Sequence, residues 1–299
     1  MGEKSVVLAF QPVREDDVRM KGNSLPDFFK LCLFRGYGTL RAKVWFIGLE
    51  ERLNGSKDKE IHRQLRVRIE SFQAVEDLSE ALRKLRISHP ISQRTWGRMC
   101  SIMLGLDGAG GVTVRGNRVD YQQKFLGRKK GETFLTELLP LPKPGASIWP
   151  KIYKALFGFK TLSEYRKAAL AVRIPRLRDL IEVRKPEIVI CYGVDPSYIG
   201  DLFKGVNFTV DRQDKKIKTG EVHAVGTLVL LIPHFAQRGM SFDRAKRIVE
   251  LIKKHPTVTF PKVMNPVARL SLKQLRRAVE IKEQIIGLEK KLTRYERLA

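Results

Sequence analysis

Three ionisable residues lie at or close to the ends of predicted strands: Glu50, Glu137 and His234. An apolar run stops at Pro233, and an amphipathic helix begins near Ser241, so His234 should lie on a strand-to-helix loop. In an open α/β sheet this is the edge where ligands bind. A carboxylate can orient a water molecule there, and an imidazole can donate a hydrogen bond to an oxygen that gains charge.

The apolar runs predict the elements that would position these residues. Strands are expected at 43–49, 133–139, 187–192 and from 227, with a polar hairpin before the last one. Prolines at positions 140, 142, 144 and 150 should end the second strand. The pattern predicts a three-layer α/β/α domain over 1–258, with a short, mainly parallel, four-stranded sheet and a helical C-terminal appendage.

Two further segments interrupt this pattern. Residues 52–92 form an insertion of helical composition that could widen a pocket or serve as scaffold. Residues 106–131 are rich in glycine and basic residues and predict a mobile hairpin or loop. The triplet Arg128, Lys129 and Lys130 could contact phosphates there or could be a solvated loop.

The C-terminal region follows a linker over 259–270. A capping box of Ser271 and Gln274 begins a basic amphipathic helix that extends to 299. Its apolar positions form a short heptad seam. The helix could dock on the domain, form a homodimer or track phosphates.

The net charge indicates the kind of partner. The chain carries 57 Lys and Arg against 32 Asp and Glu, which gives 57 − 32 = +25. A charge of this size favours a polyanion, and nucleic acid is a better candidate than a membrane surface. A merely basic soluble protein is the alternative.

The cysteines and the hydropathy bear on the compartment. Cys32, Cys100 and Cys191 are widely spaced and lack zinc or iron-sulfur spacing, which predicts core thiols in a reducing compartment. No stretch is long and apolar enough for a membrane span. We therefore expect a cytoplasmic, nucleoid-associated protein. No Walker loop, Ser-His-Asp spacing or two-metal acidic cluster occurs, and we expect neither a cofactor nor a metal.

Four stretches together resemble the uracil-DNA glycosylase superfamily. They are KVWFIGLEE (43–51), ETFLTELLPLP (132–142), PEIVICYG (186–193) and TLVLLIPHFAQRGMSFDRAKRIVE (227–250), and the similarity covers roughly residues 40–255. Some branches of that superfamily hold an iron-sulfur cluster, for which this chain lacks the cysteines. The resemblance implies a monofunctional DNA glycosylase, which flips a base out of DNA and hydrolyses its N-glycosidic bond.

The resemblance also implies roles for individual residues. Glu50, two residues after Gly48, would position the attacking water, and His234 would donate to the oxygen of the departing base. Glu51 stands where the family has a proline, and its side chain should point away from that of Glu50. From the residues alone, Glu50 could equally be a solvated loop carboxylate, and His234 a cap or packing residue.

Glu137 replaces the asparagine that reads uracil in many members. An ionised glutamate only accepts hydrogen bonds, so it would suit an exocyclic amine and repel the O4 of uracil. This favours a 5-modified cytosine, hydroxymethylated or glucosylated, as in some phage DNA. Alternatively Glu137 is protonated or points away, and the chain is a repair glycosylase for uracil or another deaminated base.

Several residues are candidates for contacts with DNA or with the flipped base. The loop after His234 corresponds to the segment that fills the gap left by the base, which assigns Arg238, Gln237 and Met240 to DNA binding. Phe235 and Met240 could instead be core. Trp96, Trp149 and Tyr153 are aromatic residues that could stack on a flipped base or could pack in the core. A non-catalytic DNA-binding protein that keeps the fold is the rival hypothesis.

Overall fold

The computed structural model describes residues 25–52, 58–87, 93–108, 115–145, 147–236 and 240–258. They form an α/β fold around one mixed sheet. Its strands are β1 Gly36–Gly38, β2 Val44–Arg52, β3 Val75–Glu76, β4 Thr133–Lys143, β5 Ile188–Tyr192, β6 Thr209–Val210, β7 Lys218–Val222 and β8 Thr227–Ile232. The helices are α1 Leu25–Cys32, α2 Asp58–Glu70, α3 Leu78–Lys84, α4 Arg94–Leu106, α5 Arg115–Lys124, α6 Lys151–Phe157, α7 Leu162–Arg184, α8 Pro196–Leu202 and α9 Phe242–Lys254.

The sheet has the order β3-β1-β4-β2-β5-β8-β7-β6. Its centre is four adjacent parallel strands, β4, β2, β5 and β8, and these are the four strands that the sequence predicts. The expected total of four is too small, because β3 and β1 extend one side and the antiparallel β7 and β6 extend the other. Of the added strands, β6 and β7 form the polar hairpin that the sequence predicts before β8, whereas β1 and β3 have three and two residues, too few for a clear apolar pattern.

Helices cover both faces of the central strands. One core cluster joins alternate strand residues such as Phe46 and Ile190 to α4 and α9, through Met103 and Ile248. The other face packs Trp45, Val189 and neighbouring residues against α7 and α8. Strands buried on both sides explain the continuous apolar runs, and the arrangement is three-layered around the central strands.

The second predicted strand does not end at the prolines. β4 continues to Lys143 through Pro140 and Pro142. The register with β2 shifts there, from Glu50 opposite Leu139 to Arg52 opposite Lys143. A bulge needs no regular ladder N–H at each residue, so the prolines are tolerated.

The segment 106–131 also differs from the prediction. It contains α5 where a mobile hairpin or loop is expected, and Tyr121 of that helix is buried in the core. Burial of an aromatic side chain against α4 outweighs the weak helical propensity of the sequence RGNRVDYQQK. The predicted linker (259–270) and C-terminal helix (271–299) lie outside the described residues. Among the described helices, none is long and apolar enough to cross a membrane.

Candidate active site

A row of three residues crosses the carboxyl half of the sheet: Glu137 on β4, Gly48 on β2 and Tyr192 on β5. Gly48 pairs with Glu137, and one step after the Ile47–Cys191 pair it also lies level with Tyr192. The Tyr192 hydroxyl donates to Oε1 of Glu137 at 2.8 Å. A Cβ on Gly48 would lie 2.0 Å from Oε2 of Glu137 and 2.5 Å from the tyrosine oxygen. The glycine therefore makes room for a hydrogen bond that passes over β2.

The Glu137 carboxyl has an unusual environment. Its Oε2 is buried and has no hydrogen-bond partner among the described residues. Burial raises the pKa of this carboxyl to about 8, against the opposing effect of the Tyr192 hydrogen bond, and the nearby carboxylates Glu50 and Glu51 raise it further. Near pH 7 most Glu137 side chains are accordingly neutral acids.

Arg173 of α7 fixes the backbone beside Glu137. Its guanidinium is buried and donates to the carbonyl oxygen of Glu137 and to the Thr136 hydroxyl. It also donates to the carbonyl oxygens of Cys32 and Phe34. These bonds join β4 to the end of α1, so the position of Glu137 depends on how α1 and α7 pack against the sheet.

Glu50 forms a buried ion pair with Lys143. The two are 3.0 Å apart, and the side chains are 10% and 0% exposed. Burial raises the pKa of Glu50, while the positive charges of Lys143 and Arg166 oppose that rise. Burial likewise lowers the pKa of Lys143, which Glu50 opposes. The lysine thus stabilises the ionised form of Glu50.

Glu51 points away from Glu50, as predicted. It accepts a 2.9 Å hydrogen bond from Arg68 of α2 and a 3.3 Å bond from the Tyr37 hydroxyl. Arg68 also donates to the tyrosine oxygen at 3.0 Å. The insertion therefore contributes Arg68 to this edge of the sheet, which makes it part of the site's support.

His234 follows β8 and lies beside Tyr192, with ring centroids 5.7 Å apart. Gly193 permits this approach: its φ is +63°, and a Cβ there would lie 2.6 Å from the Cβ of His234. The Ala236 backbone N–H donates to Nδ1 of His234 at 3.1 Å. Burial lowers the pKa of the imidazole, so the neutral ring carries its proton on Nε2. His234 is then a hydrogen-bond donor at this edge.

The loop after His234 is partly core. Phe235 is 0% exposed and packs against Tyr192 and Phe46, with centroids 4.8 and 6.1 Å apart. Met240 is 2% exposed, which corrects its assignment to DNA binding. Its apolar side chain is more stable in the cluster that contains Ala245 and Ile248 of α9 than in water. Gln237 and Arg238 lie outside the described residues.

The candidate stacking aromatics belong mainly to the core. Trp96 is partly buried on α4 and packs against the cluster that contains Phe235. Trp149 stacks on Tyr165, with centroids 5.0 Å apart, and Tyr153 is 0% exposed with its hydroxyl on the Pro142 carbonyl oxygen. The structure thus favours the packing interpretation for Trp149 and Tyr153.

The basic triplet lies at the wrong end of the sheet for this site. Residues 128–130 precede Thr133, the first residue of β4, whereas Glu137 and Glu50 lie towards the carboxyl ends. Arg128 pairs with Asp77 at 3.2 Å, and the Lys129 ammonium lies 3.5 Å from Glu80. Arg128 and Lys129 therefore help to hold α3 against the sheet, and the phosphate contact predicted for the triplet stays a prediction, away from His234.

Several residues of the site give no signal in the sequence. Lys143 reaches Glu50 only because β4 continues past two prolines, and Arg68 reaches Glu51 only through the docking of the insertion. Tyr192, which binds Glu137, is the last residue of a predicted strand. Its place at the end of an apolar strand, next to a glycine, is the one clue available.

In the part of the chain that the structure describes, no cluster of three or more His, Cys, Asp or Glu side chains could hold a metal ion. Comparison with protein-family models, with curated proteins and with solved structures finds no match for this chain.

Proposed function

We propose that the protein is a monofunctional DNA glycosylase of the uracil-DNA glycosylase kind. One observation carries this proposal: Glu50, Glu137 and His234 all lie at the carboxyl edge of four adjacent parallel strands, where Tyr192 contacts both Glu137 and His234. This edge is where open α/β sheets bind ligands. The net charge of +25 supports DNA as the partner.

Each residue has a step in the proposed reaction. Glu50, whose ionised form Lys143 stabilises, accepts a proton from a water molecule whose oxygen bonds to the anomeric carbon. The bond from that carbon to the base nitrogen breaks, and its electron pair leaves with the base. The Nε2–H of His234 donates a hydrogen bond to the base oxygen where the charge accumulates.

The protonation state of Glu137 decides which base this site would take. With Oε1 accepting from Tyr192, the proton of the neutral acid lies on Oε2, the oxygen without a partner. A donor there complements a carbonyl oxygen and repels an exocyclic amine. We therefore favour bases with a keto oxygen, such as uracil or hypoxanthine, as substrates.

A 5-modified cytosine is the second candidate substrate. It requires Glu137 to be ionised, so that the carboxylate accepts from the exocyclic amine. The observation in its favour is the insertion, whose Arg68 borders the site and which could shape room for a bulky 5-substituent. Repair of deaminated DNA and defence against modified phage DNA would correspond to these two substrates.

The test is the formation of abasic sites. Duplexes containing uracil, hypoxanthine, hydroxymethylcytosine or glucosylated hydroxymethylcytosine would be incubated with the wild type, Glu50→Gln and His234→Ala, and cleaved by alkali. Wild-type cleavage that is lost in Glu50→Gln and strongly reduced in His234→Ala is the expected result. Tight DNA binding without any cleavage would instead support a non-catalytic DNA-binding protein.

A further inference from the structure

Four arginines cluster beside the loop that carries His234. Arg94 and Arg98 lie on α4, and Arg115 and Arg118 lie on α5. The guanidinium groups of Arg98 and Arg118 lie 3.6 and 4.6 Å from the centroid of the Phe242 ring, at the first residue of α9. The amino-terminal turns of three helices thus meet around one aromatic ring.

The arginines repel one another. Burial lowers the pKa of Arg98, and the charges of Arg118 and Arg94 lower it further. Burial also lowers the pKa of Arg118, with Arg115 contributing in the same direction. Concentrating like charges is unfavourable in the isolated protein, and an anion that binds there would relieve the repulsion.

Among the described residues, Arg94, Arg98 and Arg115 lack the acidic partners that two arginines of α9 have. On α9, Arg247 pairs with Asp211 and Arg244 pairs with Asp214. By contrast, within the described ranges no carboxylate forms an ion pair with Arg94, Arg98 or Arg115, and the Arg98 Nε is buried without a hydrogen-bond partner. The guanidinium groups of these three arginines can therefore donate hydrogen bonds to a bound anion.

The position of the cluster relates it to the candidate active site. Arg94 donates to the Ala236 carbonyl oxygen at 3.3 Å, two residues after His234. The amino termini of α4 and α5, where Arg94 and Arg115 lie, add partial positive charge to the cluster. The basic surface therefore borders the edge at which the base would be hydrolysed.

We propose that Arg94, Arg98, Arg115 and Arg118 form a binding surface for the phosphodiester groups of DNA that flank the flipped nucleotide. The proposal rests on the DNA glycosylase function proposed above. It assigns the phosphate contacts to α4 and α5 in place of the triplet at 128–130. Arg98 and Arg118 are pre-ordered by Phe242, whereas Arg94 and Arg115 are exposed and reach outward.

The test measures binding to a duplex without any target base, so it does not depend on hydrolysis. Fluorescence anisotropy would give the binding constant of the full chain between about 50 and 200 mM salt. The variants are Arg115→Gln and Arg94→Gln/Arg115→Gln, which remove exposed charges. The matched control, Arg128→Gln/Lys129→Gln, removes two charges at the other end of the sheet, and circular dichroism checks the fold of each.

The expected result is a salt dependence, d log K/d log[salt], that is shallower by about one for the single variant and about two for the double variant. Affinity should fall by about tenfold or more in the double variant, with the control unchanged. An unchanged slope in both variants, with the control weakened, would overturn this surface. If the wild type excises a base but the slopes of the variants are unaltered, the glycosylase proposal is supported and this binding surface is wrong. If the slopes change but the wild type excises no base, the binding surface is supported and the glycosylase proposal is wrong.

Discussion

The hydroxyl of Tyr192 and the Oε1 atom of Glu137 are 2.8 Å apart, although the two residues lie on strands that are not neighbours in the sheet. Gly48, on the strand between them, carries no side chain, so the bond can form above it. The bond fixes one carboxyl oxygen as an acceptor, and the other, Oε2, is buried without a hydrogen-bond partner among the described residues. Under the proposed function, this hydrogen bond determines whether Glu137 would donate to a base or accept from it.

Replacing Glu137 with Gln should retain excision of a keto base. The Gln amide reproduces the neutral acid, with its oxygen accepting from Tyr192 and its NH₂ donating in place of Oε2–H. In the wild type, excision of uracil should fall above about pH 8, by about tenfold per pH unit, as Glu137 loses its proton. The variant should lack this alkaline limb, which kcat/KM measured from pH 6 to 9.5 would show. Loss of all activity in Glu137→Gln would mean that an ionised carboxylate is required.

The same substitution should alter stability in a defined direction. The pKa of Glu137 is about 8 in the folded protein, above the ordinary value of 4.5. The proton therefore stabilises the fold fully below pH 4.5, and this contribution is lost as the pH rises through 8. Relative to Glu137→Gln, the wild type should lose on the order of 2 kcal/mol between pH 5 and 8, a figure that allows for some screening by water. Urea unfolding at several pH values measures this, and parallel curves would contradict it.

Gly48→Ala should damage the site locally. Its Cβ would overlap Glu137 Oε2 and the Tyr192 hydroxyl, so both side chains must move. We expect a destabilisation of about 1–3 kcal/mol and a loss of excision of about a hundredfold. The matched control is Gly200→Ala on α8, where a Cβ meets no atom within 4 Å. That variant should be fully active and slightly more stable, since alanine favours a helix.

Lys143→Met should raise the pKa of Glu50 further, because the partner that favours its charged form is lost. The acid limb of the pH profile would then move to higher pH. An unpaired buried carboxylate should also cost on the order of 3 kcal/mol at neutral pH. The double variant Glu50→Gln/Lys143→Met should recover much of that stability, which a double-mutant cycle measures. Additive losses would argue against a coupled pair.

The sequence predicts the central sheet because its strands are buried on both faces and appear as continuous apolar runs. The predicted strand at 187–192 agrees closely with β5, and the amphipathic helix predicted to begin near Ser241 agrees with α9. The sequence does not predict that β4 continues through Pro140 and Pro142, because the bulge that tolerates them depends on pairing with β2. The contacts of Lys143 and Arg68 follow from that pairing and from the docked insertion.

The charge state of Glu137 could not be predicted either. An isolated glutamate is ionised at neutral pH, and only burial above Gly48 near two other carboxylates changes this. The arginine cluster could not be predicted from the sequence either, because it forms only when separate helices pack together. Its members come from two helices and meet at Phe242 of a third.

The most direct test of the central claim is to identify, by mass spectrometry, the free base released from duplexes containing uracil or hydroxymethylcytosine. Wild-type protein and Glu137→Gln should both release uracil, whereas Glu50→Gln should release none. Release of hydroxymethylcytosine alone, abolished in Glu137→Gln, would contradict the neutral-acid reading of Glu137. If no base is released from any duplex that the wild type binds, the proposed hydrolysis at this edge is wrong.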